Sequence, residues 1–250
     1  MERPLRQRLI AEFVGTFTWI FAGCSSVVLA LGIAQGELTT VGLAHGIAVA
    51  VMVSSLGHVS GGHFNPAVTI AMWVPQKIGT SDALAYIAAQ LAGGAAGAGV
   101  LRAAVPETFW GQVALGTPTV NASLSNGNAV LIEAVLTFFL VWVIYATAVD
   151  PEGAFAKIAG LAIGLTVAMG HFAGFPLTGA AMNPARWFGP AVATGTYADW
   201  WVYWMGPIAG AIVAGTIYDT FILAPHLRMP LTPPEELPHG VGTHGEEDHA

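Results

Sequence analysis

The tripeptide Asn65-Pro66-Ala67 recurs as Asn183-Pro184-Ala185, 118 residues further along the chain. The same shift aligns the residues GLAHGIAVA at 42–50 with GLAIGLTVA at 160–168. The chain therefore contains a duplicated unit with a short polar break inside each copy. In a membrane protein, a doubled fold with an interrupted apolar segment in each half indicates a site at the repeat interface, near the middle of the bilayer.

The composition is that of a membrane protein. Apolar residues make up 54% of the chain and charged residues 9%, and the mean hydropathy is +0.64. Crossing the hydrocarbon core takes about 20 apolar residues. Six stretches are long enough: 9–31, 38–57, 83–104, 129–149, 157–174 and 201–223. The first is too long for a signal peptide and no small-residue cleavage site follows it, so we expect it to be retained as a helix.

The few cations predict the orientation of these spans. Six of the Lys and Arg residues would lie on the side of the N-terminus and two on the other side, which places both termini in the cytoplasm. The first group is Arg3, Arg6, Arg8, Lys77, Lys157 and Arg228, and the second is Arg102 and Arg186.

The predicted organisation is a cytoplasmic tail at 1–8, a membrane domain at 9–224 and a second cytoplasmic tail at 225–250. The two repeats of the membrane domain cover about 9–104 and 129–223. Acidic residues, Pro, Gly and His dominate the C-terminal tail, which predicts disorder. The Ala- and Gly-rich, Lys-poor composition favours a bacterial plasma membrane.

Each Asn-Pro-Ala tripeptide has the sequence of a helix start. Asn is a favoured N-cap, and Pro is tolerated at the first helical position, where its missing N–H has no partner inside the helix. The short helices are predicted to end at Pro75 and Pro190. The first would span about half the hydrocarbon core. Because three spans separate the copies, the two helices enter from opposite sides and their positive ends meet near the midplane.

These residues resemble the two signature loops of the aquaporins, the major intrinsic proteins. The resemblance extends from about Leu9 to Leu223 and includes Ala11-Glu12-Phe13, Gly57-His58 and Gly189-Pro190-Ala191. It implies an all-α membrane protein with six transmembrane helices and two re-entrant half-helices, arranged as an inverted three-helix repeat. It also implies a passive water channel in the lipid bilayer that excludes protons and ions, a homotetramer with one pore per chain, and no cofactor.

The resemblance assigns roles to particular residues. Asn65 and Asn183 would cap their own helices and donate amide N–H groups into the pore. Backbone carbonyls before them would accept hydrogen bonds from the permeant, and Glu12 and Glu133 would hold the loops from behind. The loop residues in question are Gly61, Gly62, His63 and Phe64 in the first copy and Gly179, Ala181 and Met182 in the second.

A selectivity constriction is implied at His45, His171, Ala180 and Arg186. His171 is similar to water-selective members, whereas His45 with Ala180 is similar to the tonoplast intrinsic proteins of plants. We therefore expect a water channel, with ammonia, urea or hydrogen peroxide as further candidate solutes. His45 would offer the permeant a hydrogen bond, and Cys24, in the first helix, would lie away from the constriction.

A transporter and an enzyme are the alternatives to a channel. An ion-coupled secondary transporter also uses inverted repeats and broken helices, but it needs ionisable residues in its path, and this chain offers few beyond Arg186. An enzyme is not expected, because the sequence has no Ser/His/Asp set, no His-Glu-x-x-His pattern and no pair of catalytic Asp residues. No metal site and no nucleic-acid partner are expected either.

Overall fold

A computed structural model describes residues 3–33, 37–153 and 156–223. In this part of the chain the secondary structure is entirely helical, which confirms the predicted fold class. Six helices are long and apolar enough to cross a membrane. They are α1 (Leu5–Val27, extended by a π-helical segment Val28–Ile33), α2 (Leu38–Ser60), α4 (Thr80–Ala104), α6 (Asn126–Ile144, extended by Tyr145–Val149), α7 (Ala159–Thr178) and α9 (Val202–Ile217, extended by Tyr218–Leu223).

Two shorter helices follow the repeated tripeptides. Helix α3 spans Pro66–Trp73 and helix α8 spans Pro184–Thr194. The extended connection between α4 and α6 carries one further turn of helix, α5 (Glu107–Trp110), and a 3₁₀ segment, Gly111–Gly116.

The long helices pack in pairs that respect the repeat. Helix α1 packs on α4, its counterpart α6 packs on α9, and α2 packs on α7 across the pseudo-symmetry axis. Small residues permit these close approaches. A Cβ on Gly93 would lie 2.4 Å from the carbonyl oxygen of Phe13, and one on Gly46 would lie 2.5 Å from that of Gly164. Gly93 of α4 therefore serves packing within the chain.

The distribution of polarity differs from that in a water-soluble protein. Large apolar side chains face outward, with Leu131 62% and Phe221 69% exposed. The interior instead holds Glu12, Glu133 and Arg186, each fully buried. An apolar surface around a core that includes buried charged residues fits a protein that is solvated by lipid.

Helix α1 begins earlier than the hydropathy predicts. It starts at Leu5, after Pro4 at the N-cap position, so half of the predicted tail 1–8 is helical. Arg8 forms an ion pair with Asp82 at the start of α4, with a nitrogen–oxygen distance of 2.7 Å. Hydropathy detects only the apolar run, whereas the ion pair ties this polar first turn to the neighbouring helix.

Two helices continue past the predicted stops. Helix α8 runs through Pro190 to Thr194 instead of ending near Gly189. Proline disfavours the helical conformation of the preceding residue partly through that residue's Cβ, and Gly189 has none. Helix α7 runs through Pro176 to Thr178. The backbone and side-chain amides of Asn121 donate to the carbonyls of Leu177 and Pro176, at 2.9 and 3.1 Å, and stabilise its last turn.

Candidate functional site at the meeting point of the two half-helices

Each half-helix is capped by the asparagine of its own tripeptide. The Oδ1 atom of Asn65 accepts the backbone N–H of Ala67 at 2.8 Å, and Asn183 does the same for Ala185 at 2.8 Å. Both asparagines have extended backbone, as an N-cap requires, and a proline follows at the first helical position. The local sequence is thus sufficient to start each helix at this point.

The two caps also hold the two loops to each other. The Nδ2 of Asn65 donates to the carbonyl of Met182 at 2.9 Å, and the Nδ2 of Asn183 donates to the carbonyl of Phe64 at 2.9 Å. This reciprocal pair corrects one expectation. One N–H of each amide is bonded to protein, so each asparagine keeps only one for a permeant. The carbonyls of Phe64 and Met182 each accept one of these bonds and retain a second lone pair.

Two buried carboxylates lie behind the loops. Glu133 accepts the Thr178 hydroxyl at 2.6 Å and the backbone N–H groups of Ala181 and Met182 at 2.9 and 2.8 Å. Hydrogen bonds to an ionised acceptor are roughly twice as strong as neutral ones. The carboxylate thereby fixes the backbone on which Met182 presents its carbonyl to Asn65.

Glu12 makes the equivalent set in the first repeat. It accepts the Ser60 hydroxyl at 2.6 Å and the backbone N–H groups of His63 and Phe64 at 3.0 and 2.7 Å. The side chain of Gln90 adds a fourth donor at 2.8 Å. Four donors thus converge on the carboxylate.

The loops contain backbone that L-residues rarely adopt. Gly61 and Gly62 have φ of +88° and +66°, and Gly179 has +79°. Ala180, the repeat counterpart of Gly62, has φ of +45° although it carries a Cβ, and Met182 has +51°. Such conformations persist only where the surroundings over-determine them, and here the carboxylate bonds do so.

Three residues of the predicted constriction are in direct contact. The Nε of Arg186 donates to the Nε2 of His45 at 2.9 Å, and its Nη1 donates to the carbonyl of Gly116 at 2.8 Å. The rings of His45 and His171 pack with centroids 4.0 Å apart. Ala180 is fully buried in the loop before Arg186. Arg186, from α8, is therefore fixed by α2 and by the segment that follows α5.

The hydrogen bonds assign the tautomers of both histidines. The Nδ1 atoms of His45 and His171 lie 2.9 Å from the carbonyls of Val41 and Val167, so each Nδ1 must carry the proton. The remaining Nε2 of His45 accepts from Arg186. Both ring nitrogens of His45 are thus occupied, and the expectation that it offers the permeant a hydrogen bond is wrong.

Two polar atoms in this cluster have no partner among the described residues. They are the Nε2 of His171, an acceptor, and the Nη2 of Arg186, a donor. Their side chains are 1% and 0% exposed. Leaving such groups unpaired costs about 1–3 kcal/mol each. An acceptor and a donor on neighbouring side chains together suit a small molecule that can both donate and accept.

Cys24 lies closer to this cluster than expected. Its Sγ is 3.9 Å from the Nη1 of Arg186, and the residue is fully buried. The sequence places Cys24 on α1 correctly. It does not reveal that Gly23, beside it, brings α1 against the ring of His45, where an added Cβ would lie 2.3 Å from Nε2.

Several supporting residues were not predicted from the sequence. Ser60 and Thr178 bind the two carboxylates, and Tyr86 and Tyr203 donate their hydroxyls to the carbonyls of Ser60 and Thr178, both at 2.9 Å. The repeat contains a signal for them, because the 118-residue shift pairs Ser60 with Thr178. His63 contacts Thr69 at 3.1 Å through its side chain.

Metal binding receives no support from the described ranges, 3–33, 37–153 and 156–223, which hold no cluster of three or more His, Cys, Asp or Glu side chains. The predicted C-terminal tail, 225–250, lies outside them.

Comparison with known proteins agrees with this geometry. A model of the family described as Major intrinsic protein matches residues 2–218. The chain is 39% identical to Aquaporin-4 of Mus musculus, over 88% of this chain and 68% of that protein. It is 42% identical to Aquaporin TIP4-4 of Zea mays, over 89% of each chain.

A solved structure has the same fold. The aquaglyceroporin from Plasmodium falciparum superimposes with a TM-score of 0.78 at 25% identity, covering 88% of this chain and 98% of that one. The paired half-helices, the buried carboxylates and these relatives lead to one conclusion. The chain belongs to the major intrinsic protein family, the aquaporins, and is a membrane channel for water or small solutes and not an enzyme.

Proposed function

We propose that this protein is a passive water channel that excludes protons and other ions. The observation that carries the proposal is the unpaired acceptor of His171 together with the unpaired donor of Arg186, on two side chains that both contact His45. Water can donate to the first group and accept from the second. The cost of leaving them unpaired is then offset only while a permeant of this kind is in place.

Proton exclusion follows from the paired asparagines. Each retains one amide N–H beyond the bond it makes to the opposite loop. A water molecule between them must turn its oxygen toward both donors, which interrupts a chain of waters able to relay a proton. The positive ends of α3 and α8 point at the same place and repel cations.

Stopped-flow light scattering on reconstituted vesicles tests the proposal. We expect an osmotic step to give water flux well above that of protein-free lipid, with a low activation energy and no need for an ion gradient. A pH dye inside the same vesicles, under an imposed membrane potential, should report no added proton current. Flux equal to that of bare lipid, or a voltage-dependent proton conductance, would refute it. Dependence on an ion gradient would instead indicate a coupled transporter.

Ammonia is the second candidate permeant. It is close to water in size, it donates to an acceptor such as His171, and it accepts from a donor such as Arg186. We propose that the chain is one of the water-conducting members, whose tonoplast intrinsic branch it resembles at His45 and Ala180, and we expect it to exclude larger solutes such as urea and glycerol. Ammonia uptake into vesicles, with urea and hydrogen peroxide in parallel, separates these cases.

His45 acts in this proposal by positioning Arg186. Its Nε2 is the acceptor for the Nε of the guanidinium. His45→Phe removes that acceptor and should let urea leak through, whereas His45→Gln can supply an acceptor and should largely retain selectivity. Equal urea exclusion by the Phe variant and the parent would show that Arg186 does not depend on His45.

We also propose that both termini are cytoplasmic, that the protein is a homotetramer and that it lies in a bacterial plasma membrane. The first rests on the distribution of Lys and Arg, the second on the resemblance and the third on the composition. Side-specific labelling of single cysteines placed near each terminus tests the orientation, and chemical crosslinking in native membranes tests the tetramer.

A further inference from the structure

We propose that Trp19 lines the channel and donates a hydrogen bond from its indole Nε1 to the permeant, between the asparagine pair and the constriction. Trp19 is 2% exposed, and its Nε1 has no acceptor in the part of the chain that the structure describes. An indole nitrogen can only donate, and an unpaired buried donor is costly. This inference rests on the proposed function and adds a specificity-determining residue to it.

The register of α1 places Trp19 on the side that touches the channel elements. A Cβ on Gly15 would lie 2.2 Å from the ring of Phe64, in the first loop, and one on Gly23 would lie 2.3 Å from the ring of His45. Trp19 is four residues from each. Four residues advance a helix by about 6 Å and turn it about 40° beyond a full turn. Trp19 therefore lies midway between the two contacts in both height and angle.

The opposite side of α1 is occupied by another helix. The backbone carbonyls of Phe13 and Phe17 face α4. A Cβ added to Gly93 would lie 2.4 Å from the carbonyl oxygen of Phe13, and one added to Gly97 would lie 2.6 Å from that of Phe17. Trp19 is two residues beyond Phe17, which is about 200° around the helix. Its side chain thus projects away from α4.

The position determines what the indole can select. A donor on the α1 wall holds the acceptor atom of a passing solute. The solute's own protons are then directed toward the acceptors of the channel, His171 among them. Water and ammonia carry both an acceptor and donors, so this wall favours them over apolar molecules of the same size. An aromatic ring without an N–H would give this wall no preference for water or ammonia over an apolar molecule of the same size.

Trp187 provides a matched control within the chain. Its Nε1 also lacks a partner among the described residues, and it is 3% exposed. Its ring, however, stacks on Tyr203 with centroids 6.0 Å apart and packs in a separate cluster with Ala129 and Val202. It is a buried indole of the same kind in a different cluster from Trp19.

Hydrogen exchange on the unmodified protein is the first test, and it is independent of any flux measurement. With indole ¹⁵N labelling, and the Trp19→Phe and Trp187→Phe variants used only to assign the signals, the protein is transferred to D₂O. We expect the Trp19 indole N–H to exchange within minutes, because solvent reaches it through the channel, and the Trp187 N–H to persist for hours. Equal protection of the two would overturn the proposal.

Water flux is the second test. Replacing Trp19 with 3-benzothienylalanine keeps the shape of the side chain and substitutes sulfur for the N–H. Removing one hydrogen bond that retains water should raise the flux per channel about two- to tenfold, and the same replacement at Trp187 should leave it unchanged. An unchanged flux for the Trp19 replacement, in a parent protein that conducts water, would refute the role of Trp19 without touching the proposed function. Failure of the parent to conduct would refute the proposed function itself, while the exchange result would still report whether solvent reaches Trp19.

Discussion

Replacing Glu133 with Gln tests whether the buried carboxylate holds the second loop. The carboxylate accepts three hydrogen bonds, from Thr178, Ala181 and Met182. The best orientation of a Gln side chain keeps its oxygen toward Thr178 and Ala181 and turns its NH₂ toward the N–H of Met182. One backbone donor then loses its acceptor, and the other two bonds lose their ionic character.

The magnitude follows from those three bonds. An orphaned buried N–H costs about 1–3 kcal/mol, and a bond to a charged acceptor exceeds an ordinary one by about 1 kcal/mol. A neutral amide is cheaper to bury than a carboxylate, which offsets part of this loss. We expect a net loss of about 1–3 kcal/mol in the free energy of unfolding. For a chain of this size that lowers Tm by about 3–10 °C.

The assay is thermal unfolding of the purified protein in detergent, followed by water flux in vesicles. Flux should fall as well, because Met182 presents the carbonyl that binds the amide of Asn65. Glu107→Gln makes the same chemical change at an exposed position and is the control. If the Glu133 and Glu107 variants have the same Tm and flux, the carboxylate does not hold the loop and this reasoning fails.

Other substitutions probe the constriction. Gly23→Ala puts a methyl group 2.3 Å from the Nε2 of His45 and should reduce water flux. Gly99→Ala, where the added methyl group meets open space, should leave the flux unchanged. Equal fluxes for the two variants would contradict the packing of α1 against His45. Mercury should block the parent slowly through buried Cys24, beside Arg186, and Cys24→Ser should abolish the block. Ala180→Cys in that background should restore rapid block; continued resistance would show that Ala180 is not at the pore. Arg186→Val should admit urea, measured by swelling of vesicles in urea gradients, and continued exclusion would remove Arg186 from the filter.

The parts of the fold that depend on local preference were predictable. Six apolar stretches became six helices, and Asn followed by Pro starts both half-helices, because capping and the missing proline N–H act within a few residues. The ends of helices were less predictable. Helix α8 passes through Pro190, since Gly189 has no Cβ to oppose the proline. Gly189 also lies against α4, where an added Cβ would be 2.4 Å from the carbonyl oxygen of Gly94. The contact with α4 has no signature in a single sequence.

The contacts between the two repeats could also not be predicted from the sequence. Each asparagine was predicted to cap its own helix, but its bond to the other loop depends on how the two halves meet. The same holds for His45. A histidine at that position looks like a ligand for the permeant until Arg186, 141 residues away, is found bonded to it. The structure brings His45, His171 and Arg186 into contact, and the sequence could not assign the partner of each nitrogen.

The second loop shows how tertiary contacts override local preference. Ala180 and Met182 occupy left-handed backbone, which costs an L-residue about 1–2 kcal/mol each, so about 2–4 kcal/mol together. Local backbone preference alone would favour glycine at both positions. The three bonds to Glu133 are each worth about 1.5–3 kcal/mol, since their acceptor is charged. These bonds hold the loop in its strained conformation, and Ala180→Gly, which relieves the strain at one position, should raise Tm, whereas no such gain is available at Gly62, its repeat counterpart.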